Sequence, residues 1–180
     1  MTPEPSFATA GRSGSFSSPA PSSIGNFAKA VLIMTAIAGT LDIIAAHLHI
    51  WAVRGSFPTQ VFKGIAGGAF GAERAMQGGM GMILLGIFFH YFISFSFTLL
   101  FFVLYPRLRL LRRNFLVVGS LYSLFVSFTM GFIVLPLSAL NASTPDFTNK
   151  HTYIGMCVLA AIFGVPIAMG ATRFYQRRRP

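Results

Sequence analysis

The sequence predicts an all-α fold: an integral membrane four-helix bundle with an external interfacial helical segment between helices 1 and 2. Hydrophobic residues make up 54% of the chain and charged residues only 10%, whereas roughly 25% of a soluble domain is charged. Four uninterrupted apolar stretches each approach or exceed the ~20 residues that cross a bilayer as a helix. These runs do not alternate as the strands of a membrane β-barrel do. The predicted spans are residues 30–52, 79–104, 115–137 and 152–172.

The predicted membrane domain covers residues 29–175 and has a tail at each end. Residues 1–28 are rich in Ser, Pro, Gly and Ala, and such a segment buries too little apolar surface to offset the entropy of ordering. We therefore expect a disordered cytoplasmic N-terminal tail, and a basic cytoplasmic tail at 176–180. A cleaved signal peptide is the alternative for the first span, but its apolar stretch exceeds the ~7 to 15 residues typical of such peptides.

Basic residues are distributed unequally between the two ends of the predicted spans. With four spans, both termini lie on the same side of the membrane. Ten basic residues lie on that side and four on the opposite side, so the positive-inside rule places both termini in the cytoplasm. The net charge is +10, but the basic residues cluster beside the predicted spans. We therefore expect the partners to be the lipid bilayer and anionic phospholipid headgroups, and we expect no binding of nucleic acid. The ten are Arg12, Lys29, Arg107, Arg109, Arg112, Arg113, Arg173, Arg177, Arg178 and Arg179; the four are Arg54, Lys63, Arg74 and Lys150.

The segment between the first two spans, residues 53–78, has its own helical pattern. Ser56 can cap a helix that has Pro58 in its first turn. Val61, Phe62 and Ile65 then fall near one face. This pattern predicts a helix that lies flat on the outer leaflet or caps the bundle. The alternative is a re-entrant element that lines a cavity, because glycines allow irregular backbone where protein covers it.

Small and polar residues recur every three or four positions in each predicted span. Such stripes let membrane helices approach closely, while the bulky residues on the other faces suit lipid. The stripes therefore predict the inward face of each helix. They are Thr35, Ala38, Gly39, Asp42, Ala46 and His49 in the first span; Gly79, Gly86, His90, Ser94 and Thr98 in the second; Ser120, Ser123, Ser127 and Gly131 in the third; and Cys157, Ala161, Gly164 and Ala168 in the fourth.

Asp42 is a lone carboxylate near the middle of the first span, in a chain with only four acidic residues. Asp42 and His90 each lie ~15 Å below the outer end of their helix at ~1.5 Å per residue, so they can meet. An unpaired charge at this depth costs at least ~2.5 to 3.5 kcal/mol on insertion scales. We expect either an Asp42–His90 relay for protons or ions, or a packing role in which Asp42 bonds the hydroxyl of Ser120 or Ser123.

The other histidines suggest no cofactor. Axial haem ligation needs two histidines at equal depth on facing helices, and His90 has no such partner because His47, His49 and His151 all lie nearer the outer side. The outer histidines with Asp146 leave a divalent-metal site as an alternative. Phosphate-loop, zinc-protease and nucleophile-elbow motifs are absent from the sequence, so we expect no cofactor, no resident metal and no enzymatic activity.

The stretch from the second span to Leu137, together with a shorter match in the first span, resembles the YagU-like bacterial inner-membrane proteins. The resemblance rests on Ala38-Gly39, His90, the run Tyr105-Pro106-Arg107-Leu108-Arg109-Leu110, Gly119 and Pro136-Leu137. It implies a multi-pass protein of the bacterial inner membrane and no particular activity. The chain departs from that family by its Asp42 and by shorter external loops.

Two functions follow from these features. The first is a small proton-linked or solute transport component that uses the Asp42–His90 pair. Because four helices hardly enclose a wide pathway, this function predicts a homo-oligomer or a membrane partner. The alternative is a non-catalytic scaffold or accessory subunit whose buried polar residues specify helix packing.

Overall fold

The computed structural model describes residues 22–55, 58–140 and 160–176. All regular secondary structure in these ranges is helical, which confirms the all-α class. The helices are α1 (Ser22–Arg54), α2 (Pro58–Phe70), α3 (Ala72–Gln77), α4 (Met80–Leu104), α5 (Phe115–Thr129), α6 (Leu135–Leu137) and α7 (Val165–Gln176). A 3-10 turn at Arg109–Arg112 precedes α5, and π-helical turns at Met130–Val134 and Ala160–Gly164 precede α6 and α7.

Three helical segments are long and apolar enough to cross a membrane: Ile24–Ala52, Met80–Leu104 and Phe115–Leu137. They match the first three predicted spans, so the sequence and the structure agree on a helical membrane protein. The predicted fourth span begins outside the described residues, and only its last part, from Ala160 onward, is described. Residues 1–21 and 177–180, which hold most of both predicted tails, also lie outside the described ranges.

The outward faces of the long helices expose large apolar side chains. Leu84, Phe88 and Phe92 of α4 are each more than half exposed and recur every four residues. Soluble monomers rarely expose contiguous apolar surface of this kind. The exposed stripe is the surface that lipid covers, and it lies opposite the buried stripe of Gly86, His90 and other small or polar residues.

Helices α1 and α4 are antiparallel and share a fixed register. The rings of Phe27 and Phe102 lie 6.1 Å apart near one end, and farther along Nε2 of His90 lies 2.8 Å from the carbonyl oxygen of Gly39. Gly39 therefore lies level with His90. Asp42 is three residues beyond Gly39 on α1, so it lies within one helical turn of the level of His90.

Helix α5 and the π turn at Ala160–Gly164 approach each other through two glycines. A Cβ atom on Gly164 would lie 2.1 Å from the carbonyl oxygen of Gly119, which is closer than any real contact. Only glycine at both positions allows this backbone approach. The crossing fixes how α5 is rotated about its own axis, and it turns Ser123 toward Gly164.

Tyrosine hydroxyls bind the helices together at the end where α4 and α7 finish. Tyr105 donates to Thr172 at 3.1 Å, Tyr175 donates to the carbonyl of Phe102 at 2.8 Å, and Tyr122 donates to the carbonyl of Phe97 at 2.6 Å. The fully buried core lies at this end. It comprises Val31, Ala38, Phe101, Phe102, Tyr105, Val118, Tyr122, Val126, Phe163, Ile167, Ala168 and Ala171.

The opposite end of the bundle is covered by α2. The backbone of Phe62 lies directly on Gly86 of α4, where an added Cβ would come within 2.0 Å of the Phe62 carbonyl oxygen. The ring of Phe62 also packs on His47 of α1, 4.9 Å between centroids. The amide of Ala139 donates to the carbonyl of Gly68 at 2.8 Å, so the segment after α6 holds α2 in place.

Candidate functional site

A cavity of about 360 Å³ lies between the core and α2. Its polar lining consists of Asp42 and His49 of α1 and His90 and Ser94 of α4. The remaining lining is apolar and comes from six parts of the chain: Ala45, Ala46 and Ile50 of α1, Ile65 of α2, Ile93 and Phe97 of α4, Val126 of α5, Met130 of the first π turn and Phe163 of the second. The described lining contains neither lysine nor arginine.

Helical periodicity explains which polar residues reach the cavity. Asp42 and His49 are seven residues apart, or about two turns, so they project from the same face of α1. His90 and Ser94 are four residues apart and share a face of α4 in the same way. Because the Gly39–His90 contact aligns the two helices, these faces meet, with Asp42 and His90 within one helical turn of the same level.

His90 is buried, with 8% of its surface exposed. Nε2 donates its hydrogen to the carbonyl oxygen of Gly39 at 2.8 Å, because a carbonyl oxygen only accepts. This bond fixes the orientation of the ring, and the edge of Tyr91 packs against it with centroids 5.3 Å apart.

Asp42 is half-buried at the cavity wall. His90 interacts with it electrostatically, but among the described residues no ion pair or hydrogen bond joins the two side chains directly. The structure therefore brings the two predicted relay residues to one cavity without a direct contact. The space beside Asp42 is open to a small molecule or ion.

Close packing of α1 on α4 supports this arrangement. Ser94 is 4% exposed, and a Cβ on Gly39 would lie 3.2 Å from its Oγ. Next to this contact, the hydroxyls of Thr40 and Tyr91 are hydrogen-bonded at 2.8 Å. The two helices are thus held on both sides of the His90 ring, which keeps Asp42 and His90 in register.

The serines of α5 lie away from the described cavity wall. Ser123 is fully buried against Gly164, Ser120 is half-buried, and the buried Oγ of Ser127 has no hydrogen-bond partner among the described residues. The alternative in which Asp42 bonds Ser120 or Ser123 is not observed in the described part of the chain. At this level α5 contributes an apolar wall instead.

The outer histidines point to different sides of α1. Nδ1 of His47 donates to the carbonyl of Ile43 at 2.6 Å, and its ring faces Phe62, whereas His49 lines the cavity. His151 and Asp146 lie outside the described residues. Within the described ranges no three His, Cys, Asp or Glu side chains are grouped to hold a metal ion.

Several wall residues had no sequence signal that linked them to Asp42. Phe97 and Phe163 come from two separate predicted spans, and Ile65 comes from the segment between spans. The apolar face of that segment was recognisable from the spacing of Phe62 and Ile65, but its packing partner was not. Which residues share a cavity depends on long-range contacts that periodicity within one helix does not report.

Comparison with known proteins gives no relative for this chain. No family model matches it, and neither does any curated protein or solved structure. The resemblance to YagU-like proteins stays a prediction, and the function follows from the geometry of the site alone.

Proposed function

We propose that this protein is a proton-linked transporter of a small amphipathic cation, with the Asp42 carboxylate as the exchange site. One observation supports this function above the others. A single carboxylate and two histidines, of which His90 is buried, face a cavity whose remaining described wall is apolar except for Ser94. A lone carboxylate in such surroundings calls for a positive partner.

The chemistry of the wall indicates the class of solute. Alkyl groups of the solute would pack against Ile65 and Ile93, and its positive charge would lie beside Asp42. Phe97 and Phe163 add aromatic rings, whose faces attract cations. A small quaternary or primary ammonium ion that carries apolar groups fits this combination, whereas an anion would meet the Asp42 carboxylate and no lysine or arginine in the described lining.

Coupling to protons follows from the charge at Asp42. The carboxylate balances one positive charge, either a proton or the cationic solute, and binding both leaves an uncompensated charge in an apolar cavity. When the solute binds, the proton leaves Asp42 for the solvent, and when the solute leaves, a proton returns. His90 interacts electrostatically with Asp42 and lies beside it in the lining of the same cavity.

The membrane architecture around the cavity is part of the same proposed transporter. The fourth span, 152–172, completes a four-helix bundle in the bacterial inner membrane, with both termini cytoplasmic and α2 capping the outer side. The unequal distribution of basic residues supports this orientation. Support for the cap comes from the contact of Phe62 with Gly86, which lies six residues, or ~9 Å, inside α4. A homo-oligomer or a membrane partner completes the pathway across the bilayer.

Proton release on solute binding tests the function. Protein purified in weakly buffered detergent is mixed with tetramethyl-, tetraethyl- or tetrabutylammonium, and the released protons are measured with a pH indicator. We expect up to one proton per bound cation, with affinity that changes with alkyl size because the cavity has a fixed volume. An alcohol of similar alkyl size is the neutral control and releases none. Cation binding without proton release, or no binding across the series, contradicts the proposal.

A scaffold or accessory subunit is the second candidate, and the hydrogen bonds between α1 and α4 favour it. The bond from His90 to Gly39 and the bond between Thr40 and Tyr91 join the two helices at the cavity. In this function the polar groups set helix register and nothing is transported. The two functions predict different consequences of removing the charge on Asp42.

A further inference from the structure

A second cleft, of about 540 Å³, separates α1 from α7 at the end of the bundle where α1 begins and α7 finishes. It lies away from the Asp42 cavity and shares no lining residue with it. Its wall combines apolar side chains with two cations. The lining residues include Lys29, Ala30, Ile33 and Ile37 of α1 and Arg173 and Phe174 of α7.

The apolar part of the cleft is elongated along the helices. Ala30, Ile33 and Ile37 share one face of α1, and Ile33 and Ile37 are 47% and 45% exposed. From Lys29 to Ile37 the cleft runs eight residues, or ~12 Å along the helix. A groove of this length, open to the hydrocarbon layer, accommodates the upper part of an acyl chain.

Both cations lie at the same end of the cleft. The rings of Phe27 and Phe174 are in contact, with centroids 6.0 Å apart, and Lys29 and Arg173 stand within two residues of these rings on their helices. Both cations are exposed, and the described cleft wall contains no acidic side chain. Two neighbouring positive charges without an acidic counterpart favour an anionic group between them.

We propose that this cleft binds one phospholipid with an anionic headgroup. The lipid phosphate lies between Lys29 and Arg173, and an acyl chain runs along Ile33 and Ile37. The positive charges argue against a second copy of this chain as the occupant, because a symmetric interface would place like charges opposite each other. The site also differs from the general attraction of basic clusters to anionic lipid, since it holds one lipid in a defined groove.

Native mass spectrometry of the whole protein tests the site. Protein released from micelles that contain phosphatidylglycerol or phosphatidylcholine with identical acyl chains is examined for retained lipid. We expect one phosphatidylglycerol per chain, and at least a tenfold weaker retention in the double variant Lys29→Gln/Arg173→Gln, roughly the loss of two headgroup-binding charges. The matched control Arg109→Gln/Arg113→Gln removes two exposed cations outside the cleft and is expected to keep the lipid.

A second variant separates the groove from charge alone. Ile33→Trp fills the cleft and keeps both cations, so it is expected to lower phosphatidylglycerol retention while the protein stays folded by circular dichroism. The proposal is overturned if the two charge variants lose phosphatidylglycerol equally, or if the protein retains phosphatidylcholine as well as phosphatidylglycerol. It is also overturned if Ile33→Trp retains phosphatidylglycerol unchanged, or if a protein dimer is found in place of bound lipid. Solute binding at Asp42 is measured in parallel, because the lipid site does not depend on the proposed transport function.

Discussion

Replacement Asp42→Asn is expected to abolish proton release on binding of a tetraalkylammonium ion and to weaken binding itself about 10- to 100-fold, as the loss of a charge-assisted interaction predicts. Asparagine has nearly the same size and cannot titrate. The change removes the only carboxylate of the described cavity wall and leaves the packing of α1 on α4 intact. In proteoliposomes, uptake of radiolabelled tetraethylammonium driven by an imposed pH gradient falls to the level of protein-free vesicles.

Glu73→Gln provides the matched control. Glu73 is an exposed carboxylate on α3 that accepts a hydrogen bond from Gln77 at 3.3 Å, and it lies outside the cavity. The same loss of one negative charge at this position leaves uptake and proton release unchanged. If Asp42→Asn and Glu73→Gln reduce uptake equally, uptake depends on the net charge of the protein and Asp42 has no special role.

The Asp42→Asn variant also separates the two candidate functions. A transporter keeps its thermal unfolding temperature and its oligomeric state and loses coupled uptake. A scaffold takes up no cation in either form, and the variant loses assembly or stability, because in that function the Asp42 carboxylate orders the helices. Retention of full proton release by Asp42→Asn contradicts the transport function directly.

Replacement Gly86→Ala is expected to destabilise the protein by about 1 to 3 kcal/mol, the usual cost of forcing an atom into a packed site. The new Cβ would lie 2.0 Å from the carbonyl oxygen of Phe62, and because backbone atoms cannot swing aside, α2 must move. Ile65 then leaves the cavity wall, so the affinity for tetraalkylammonium changes together with stability.

Gly81→Ala is the matched control for this effect. Gly81 lies in the same helix, and a Cβ there meets nothing within 4 Å, so both variants add one methyl group to α4 and only one of these groups meets a neighbour. Hydrogen exchange followed by mass spectrometry is expected to show faster exchange in residues 59–70 for Gly86→Ala alone, since α2 is released locally. Equal exchange in the two variants would show that α2 does not depend on its contact with Gly86.

The sequence was sufficient to predict the three described membrane-spanning helices and much of their inward faces. The length and composition of the apolar runs predict the first three spans, since a bilayer requires helices of that length. Small residues mark the inward faces, and Ala38 of α1 and Ser94 and Thr98 of α4 are indeed buried. Both properties depend on residues close together in sequence, which is why a single chain reveals them.

Contacts between distant segments were not predictable in the same way. The partner of His90 is the backbone carbonyl of Gly39, and side-chain patterns do not distinguish one carbonyl from another. Ser123 was predicted as a possible partner of Asp42, but the close approach of Gly119 and Gly164 sets the rotation of α5 and turns Ser123 toward Gly164. The contact of α2 with Gly86 depends on the shape of both helices together.

Labelling with an apolar carbodiimide tests most directly whether Asp42 faces a cavity that accepts a cation. The chain has four acidic side chains, Glu4, Asp42, Glu73 and Asp146, so mass spectrometry assigns each adduct within one sample. The reagent partitions into apolar surroundings, so we expect it to modify Asp42. We also expect tetraethylammonium to protect Asp42 from the reagent, with protection that increases with the concentration of the cation. Glu73 is expected to gain no such protection. An Asp42 that stays unmodified, or one that is modified equally with and without the cation, contradicts the account.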